Sequence, residues 1–197
     1  MALSVNLMAA DADTDDIMAM LTKELKLSDD QSKKLDTEIQ KFAKTVDQLK
    51  ADQEKEGAEP EDLVKGAKKA QEEYIDQVKK ILTPDQYKQY EAIKEKALKG
   101  MFEDLAAIKL MDIQSKIDIS DDQLDKLAPI MGDSLYQVVT LAWEHAGHRL
   151  RVGQKIRLAR ELKHIQKQAR DASSKILSKE QMAAWDKLKE EQQKKNK

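Results

Sequence analysis

The chain has 197 residues, 37 % of them charged and 4 % aromatic, with six Gly, three Pro and no Cys. Six glycines cannot supply the turns of an all-β sandwich, and the missing Cys removes disulfides, thiolate zinc sites and cysteine nucleophiles. A hydrophobic share of 40 % and a net charge of −2 suit a core built on amphipathic helices, and the longest clearly apolar stretch, 138–143, is far short of the roughly 20 residues a bilayer requires.

Residues 1–10 are uncharged and mildly apolar, and they give way abruptly to Asp11-Ala-Asp-Thr-Asp-Asp16. Ala9-Ala10 is a small-residue pair of the kind that precedes a secretory cleavage site. Residues 1–13 therefore read as a signal-peptide remnant, which makes the protein an exported one, or as a disordered N-terminus.

Four segments further along share one pattern: Leu27-Ser-Asp-Asp-Gln31, Leu82-Thr-Pro-Asp-Gln86, Ile119-Ser-Asp-Asp-Gln123 and Leu177-Ser-Lys-Glu-Gln181. Each reads as a helix start. Ser28, Thr83, Ser120 and Ser178 take the N-cap, where the hydroxyl accepts from the N3 amide. In return, Gln31, Gln86, Gln123 and Gln181 reach back to the cap amide. Acids in each first turn suit the positive helix end, and Pro84 sits where its missing N–H costs nothing. The apolar residue before the cap can staple onto N4 as Leu82 with Tyr87, Ile119 with Leu124 and Leu177 with Met182. Ser32 denies the first copy its staple.

Gln31 and Gln123 are 92 residues apart, Gln86 and Gln181 are 95 apart, and the spacings within each half are 55 and 58. The spacings point to a duplication, with Tyr90 opposite Trp185. Between the boxes the apolar period is helical. Leu35, Ile39, Phe42, Val46 and Leu49 form one stripe, and Leu63, Ala67, Ala70, Tyr74, Val78 and Ile81 a second. Leu124, Leu127, Met131, Leu135, Val138 and Ala142 form a third, in which Pro129 should kink the helix or move its start. Ile156, Ala159, Ile165, Ala169, Ala172 and Ile176 trace a thinner fourth. Helix connections are expected at 52–60 and 147–153. From Pro84 to Ile117 only Gly100 interrupts, so one helix, or two meeting near Gly100, joins the halves. The eight methionines, Met18, Met20, Met101, Met111, Met131 and Met182 among them, are read as helical core filling.

The order of helix, Leu-Ser/Thr-x-x-Gln, long helix, loop, long helix, Leu-Ser/Thr-x-x-Gln and closing helix resembles the LTxxQ-motif family of bacterial periplasmic proteins, the Spy/CpxP type. Ile81-Leu-Thr-Pro-Asp-Gln-Tyr-Lys-Gln-Tyr90 is the best match. The resemblance implies an all-α fold of two tandem four-helix units, 14–99 and 100–197, each built on a long antiparallel helical hairpin and together forming a single-chain pseudo-dimer. It further implies periplasmic localisation and the work of an ATP-independent chaperone or envelope-stress modulator.

Charge is distributed unevenly. Residues 1–99 carry −5 and 100–197 carry +3, while 52–62 alone carries −5 and 149–170 carries +7. The basic segment, Arg149, Leu150, Arg151, Val152, Lys155, Ile156, Arg157, Arg160, Lys163, Lys167 and Arg170, is a candidate surface for non-native client proteins: long-range attraction first, apolar contact second. The competing reading is a solvated helix face. Nucleic acid is a poor partner for it, because the total charge is negative and no aromatic interleaves the arginines. His145 and His148, with His164 beyond the connection, form a candidate half-site for Zn or Ni, and so an alternative reading as a metal sensor or buffer. The chain lacks a Gly-rich loop and a recognisable nucleophile–base pair, so the expectation is a binding protein and not an enzyme. As for assembly, the chain is expected to act as a monomeric pseudo-dimer or as a homodimer.

Overall fold

A computed structural model describes residues 14–53 and 60–195. The proposed signal remnant and most of the acidic connection, 54–59, lie outside the described residues. Seven helices make up the described chain: α1 (Thr14–Glu24), α2 (Asp29–Gln53), α3 (Pro60–Ile81), α4 (Pro84–Ile117), α5 (Asp121–His145), α6 (Val152–Ser173) and α7 (Lys179–Lys195). No strand occurs among the described residues. The fold is all-α.

The chain divides into two compact units. One comprises the described residues up to Lys96 together with His145–Arg149; the other comprises Ala97–Glu144 with Leu150 onward. Each has its own core. In the first, Met18, Leu21, Leu25, Leu35, Val78, Leu82 and Tyr90 are buried together. In the second, Leu110, Ile117, Ile119, Leu124, Leu127, Ala128, Leu177 and Trp185 are. Tyr90 and Trp185, at matching positions after their boxes, therefore do the same work in different cores.

The helix starts follow from the boxes. Oε1 of Gln31, Gln86, Gln123 and Gln181 accepts from the amide of Ser28, Thr83, Ser120 and Ser178 at 3.1, 3.0, 3.1 and 2.9 Å. The cap hydroxyls accept in return from the glutamine amides at 3.3, 3.3, 3.3 and 3.1 Å. Leu82 and Tyr87 pack in one core, and Ile119 with Leu124 and Leu177 with Met182 in the other. Where Ser32 replaces the apolar N4 residue, its hydroxyl bonds the Thr22 hydroxyl at 3.1 Å instead. The turn before Ser28 and that before Ser120 are alike. Lys26 and Asp118 adopt φ of 50° and 51°, and the amides of Leu27 and Ile119 donate to the carbonyls of Thr22 and Gln114 at 3.0 and 3.2 Å. This six-to-one closure is how a left-handed residue ends a helix.

α2 and α3 pack closely, because α3 offers small residues to its neighbour. Ala67 and Ala70 are buried, and Gly66 lets the Leu49 side chain approach. Phe42 stacks on Tyr74 at 4.9 Å between ring centres. The Tyr74 and Tyr90 hydroxyls, 3.1 Å apart, satisfy each other inside the unit. Burial pushes both phenols above the usual tyrosine range, Tyr90 much further than Tyr74. An unfolded tyrosine ionises near pH 10 while these two stay protonated, so the folded state binds more protons above that pH. Stability should then fall by up to about 1.4 kcal/mol per pH unit per tyrosine as pH rises past about 10. Urea unfolding between about pH 9 and 11 checks this. The double change Tyr74→Phe with Tyr90→Phe, which leaves no orphaned hydroxyl, should flatten that alkaline limb.

The helix bounds decide between alternatives that the sequence leaves open at Pro129 and at Gly100. Pro129 neither moves the start of α5 nor ends it: the helix runs from Asp121 to His145. The proline is exposed, as is Asp125 one turn back, so water can satisfy the carbonyl that loses its donor. α4 is one helix of 34 residues that passes through Gly100 without a break. Nothing lies within 4 Å of where a Cβ would sit at Gly100. Gly100→Ala should thus stabilise the chain by about 0.5–1 kcal/mol, since the glycine costs backbone entropy and contributes no contact. A raised thermal midpoint checks it.

Candidate functional site

α6 starts at Val152 after the N-cap residue Arg151, whose amide is accepted by Gln154 Oε1 at 2.8 Å. This is half of a capping box without the hydroxyl, so the sequence shows no Ser/Thr signature at this helix start. The core-facing stripe of α6 is Leu158, Leu162, Ile165, Ala169 and Ala172, and Ile176 in the turn beyond it continues the stripe, all half-buried. The expected stripe began at Ile156 and Ala159, and both are exposed. The period holds, but its first two positions turn outward, which for Ile156 agrees with its place in the candidate surface.

That shift frees an outward face. Val152 and Ile156 are 74 % and 49 % exposed. Arg160, Lys163 and Lys167 continue the same side of the helix at three- and four-residue steps, all exposed. Lys155, Arg151 and Arg149 are exposed too, and Leu150 is half-buried. Two of the expected surface cations are engaged within the chain. Arg157 Nε donates to Glu161 Oε1 at 2.9 Å. Arg170 makes a two-pronged bond to Asp186 on α7, one prong 2.7 Å long. Its hydrogen bond to Asp186 raises the guanidinium pKa and holds the carboxyl below the usual range. Arg170 therefore fastens α6 to α7.

Beside this face, α5 and α6 flank an open cleft of about 560 Å3, with Tyr136, Leu141 and Ile165 as apolar walls. Arg160 and His164 line it from α6, together with Glu161 and with Glu144 of α5. The Tyr136 ring packs 6.0 Å from Phe102, and Lys99 Nζ lies 5.6 Å from its centre. Tyr136, Thr140 and Leu141 carry no signal in the sequence, because they lie beside the apolar stripe of Leu135, Val138 and Ala142 and include no charged residue.

The histidines do not share a helical face. α5 ends at His145, Gly147 has φ of 73°, and His148 lies past that turn. The amide of His148 donates to the His145 carbonyl at 3.4 Å. His145 and His148 belong to the first unit and His164 to the second, and Glu161 of the Glu-x-x-His pair is taken by Arg157. Among the described residues, no group of three or more His, Asp or Glu is placed to hold a metal ion.

The methionines divide between core and surface. Met18 is buried, whereas Met20 and Met111 are 42 % and 59 % exposed. Met111 belongs to a surface stripe on α4 with Leu105 and Ile108, 37 % and 58 % exposed. A sign of it stands in the sequence: from Leu105 to Ile113 the apolar residues run round more of the helix than one core face needs.

Residues 8–90 match the family model described as a domain of unknown function, DUF4890. The matched segment takes in α1, α2, α3 and the first turns of α4, and so includes the boxes at Ser28 and Thr83. It stops short of α5 and α6, which carry the cleft and the basic face. No curated protein and no solved structure matches the chain. No described helix is long and apolar enough to cross a membrane.

Proposed function

We propose that the protein is a periplasmic, ATP-independent holding chaperone or envelope-stress modulator of the LTxxQ, Spy/CpxP kind, built as two such units in one polypeptide. The tandem reading draws support from the matching boxes and from the left-handed residues Lys26 and Asp118, each two positions before its Ser. One observation carries the function: Val152 and Ile156 stand exposed at the head of a helix face whose next turns are Arg160, Lys163 and Lys167. Unfolded chains present apolar residues and acids without fixed geometry. Such a face attracts them at long range and holds them by shallow apolar contact. Two exposed aliphatic side chains contribute only a few kcal/mol, so capture is reversible and release needs no nucleotide.

The test is suppression of client aggregation at equimolar protein without nucleotide. Arg160→Glu with Lys163→Glu should weaken suppression about fivefold to tenfold, the worth of two exposed charge contacts. Arg157 is a poor choice for reversal, because a glutamate there would face Glu161. Equal suppression by the reversed variant, or none by the native chain, rejects the reading.

A further inference from the structure

We propose that the α4 face around Ile108 and the α6 face around Ile156 bind each other between two copies of this chain, in a closed two-fold dimer. Six large apolar residues are exposed among the described ones, and five of them make up these two faces: Leu105, Ile108 and Met111 on α4, and Val152 and Ile156 on α6. Isolated exposed apolar side chains require no explanation, but two clusters on one compact unit do. Both faces lie in the second unit, and both remain exposed, so they do not cover each other within the chain.

Their charges are complementary. Asp104 and Asp112 flank Ile108 one turn to either side, and Arg160 and Lys163 follow Ile156 along the same face of α6. All four charged residues are exposed, and none has an ion-pair partner in the chain among the described residues. The acid-flanked apolar stripe of one copy thus fits the base-flanked apolar stripe of another. Because each copy carries both stripes, a two-fold axis makes the same contact twice and leaves no stripe open to extend the assembly. The contact uses the α6 face assigned above to clients, yet it does not rest on that assignment: a second copy is recognised here by its own α4.

Sedimentation velocity of the full chain, from low to high micromolar concentration at low ionic strength, tests this. The native chain should pass from monomer to dimer and stop there, with the dimer weakened as salt is added. Asp104→Lys with Asp112→Lys should weaken it about tenfold or more, and so should Arg160→Glu with Lys163→Glu. All four changes together should bring the affinity back to within a few-fold of native, since each contact is restored with its sign exchanged. Ile108→Gln, which alters no charge, should weaken the dimer as well, with helicity unchanged by circular dichroism. A chain that stays monomeric, one that grows past the dimer, a dimer indifferent to Ile108→Gln, or a four-fold variant no better than either pair overturns the proposal.

Discussion

Gly132→Ala should destabilise the chain by about 2–3 kcal/mol, although alanine is the better helix former by about 1 kcal/mol. The reason is where α5 crosses α4. A Cβ on Gly132 would lie 2.6 Å from Glu103 Cα, 2.7 Å from Glu103 N and 3.0 Å from Phe102 C. All three are backbone atoms, so no rotamer change relieves the clash and the helices must part by about 1 Å to reach ordinary contact near 3.5–4.0 Å. Parting them loosens buried Phe102 and Ala128 together. Gly66 is the control. Its Cβ would meet only the two methyls of Leu49, Cδ2 at 2.9 Å and Cδ1 at 3.9 Å, the end of a side chain that can turn away. Gly66→Ala should be close to neutral. Urea unfolding of both variants separates backbone crowding from helix propensity, and equal effects would remove the crossing argument.

Gln86→Ala should cost about 2–3 kcal/mol, more than a helix cap alone is worth. The four boxes join in pairs. Gln31 Nε2 donates to the Ile81 carbonyl at 3.0 Å and to Gln86 Oε1 at 2.8 Å. Gln86 Nε2 donates to the Leu25 carbonyl at 3.1 Å and to Gln31 Oε1 at 3.4 Å. In the second unit Gln123 Nε2 reaches the Ile176 carbonyl at 2.9 Å and Gln181 Oε1 at 3.0 Å. Gln181 Nε2 reaches the Asp118 carbonyl at 2.5 Å and Gln123 Oε1 at 3.0 Å. Every donor and acceptor of these side-chain amides is used. Removing Gln86 therefore uncaps Thr83 and strands part-buried groups of Leu25 and Gln31. Gln31→Ala should cost a similar amount, and the double variant clearly less than the two combined, because both remove the same bonds. Additive losses in urea unfolding would mean that the boxes act singly.

That pairing marks the limit of what could be read from the residues. A capping box is local, so Ser28 with Gln31 and its three counterparts announced helix starts without any knowledge of the fold. A box accepts Glu as readily as Gln, yet all four carry Gln, and the reason is tertiary: only an amide can donate to a carbonyl 50 residues away, as Gln31 does to Ile81. The basic segment was equally legible from composition. Which of its cations stay free was not, because Asp186, which holds Arg170, lies on another helix. Ile156 belongs by sequence both to an apolar stripe and to the basic surface segment, because its spacing to Ala159 is helical on either face, and only the neighbours Leu158 and Leu162 decide which face turns inward.

Photo-crosslinking at position 156 tests the client-holding account most directly. A photoreactive residue there, compared with one at exposed Lys41 on α2, should form adducts with an unfolded client and few with the same protein folded, while position 41 forms few with either. Adducts at 156 no more frequent than at 41, or equally frequent with the folded client, would contradict it.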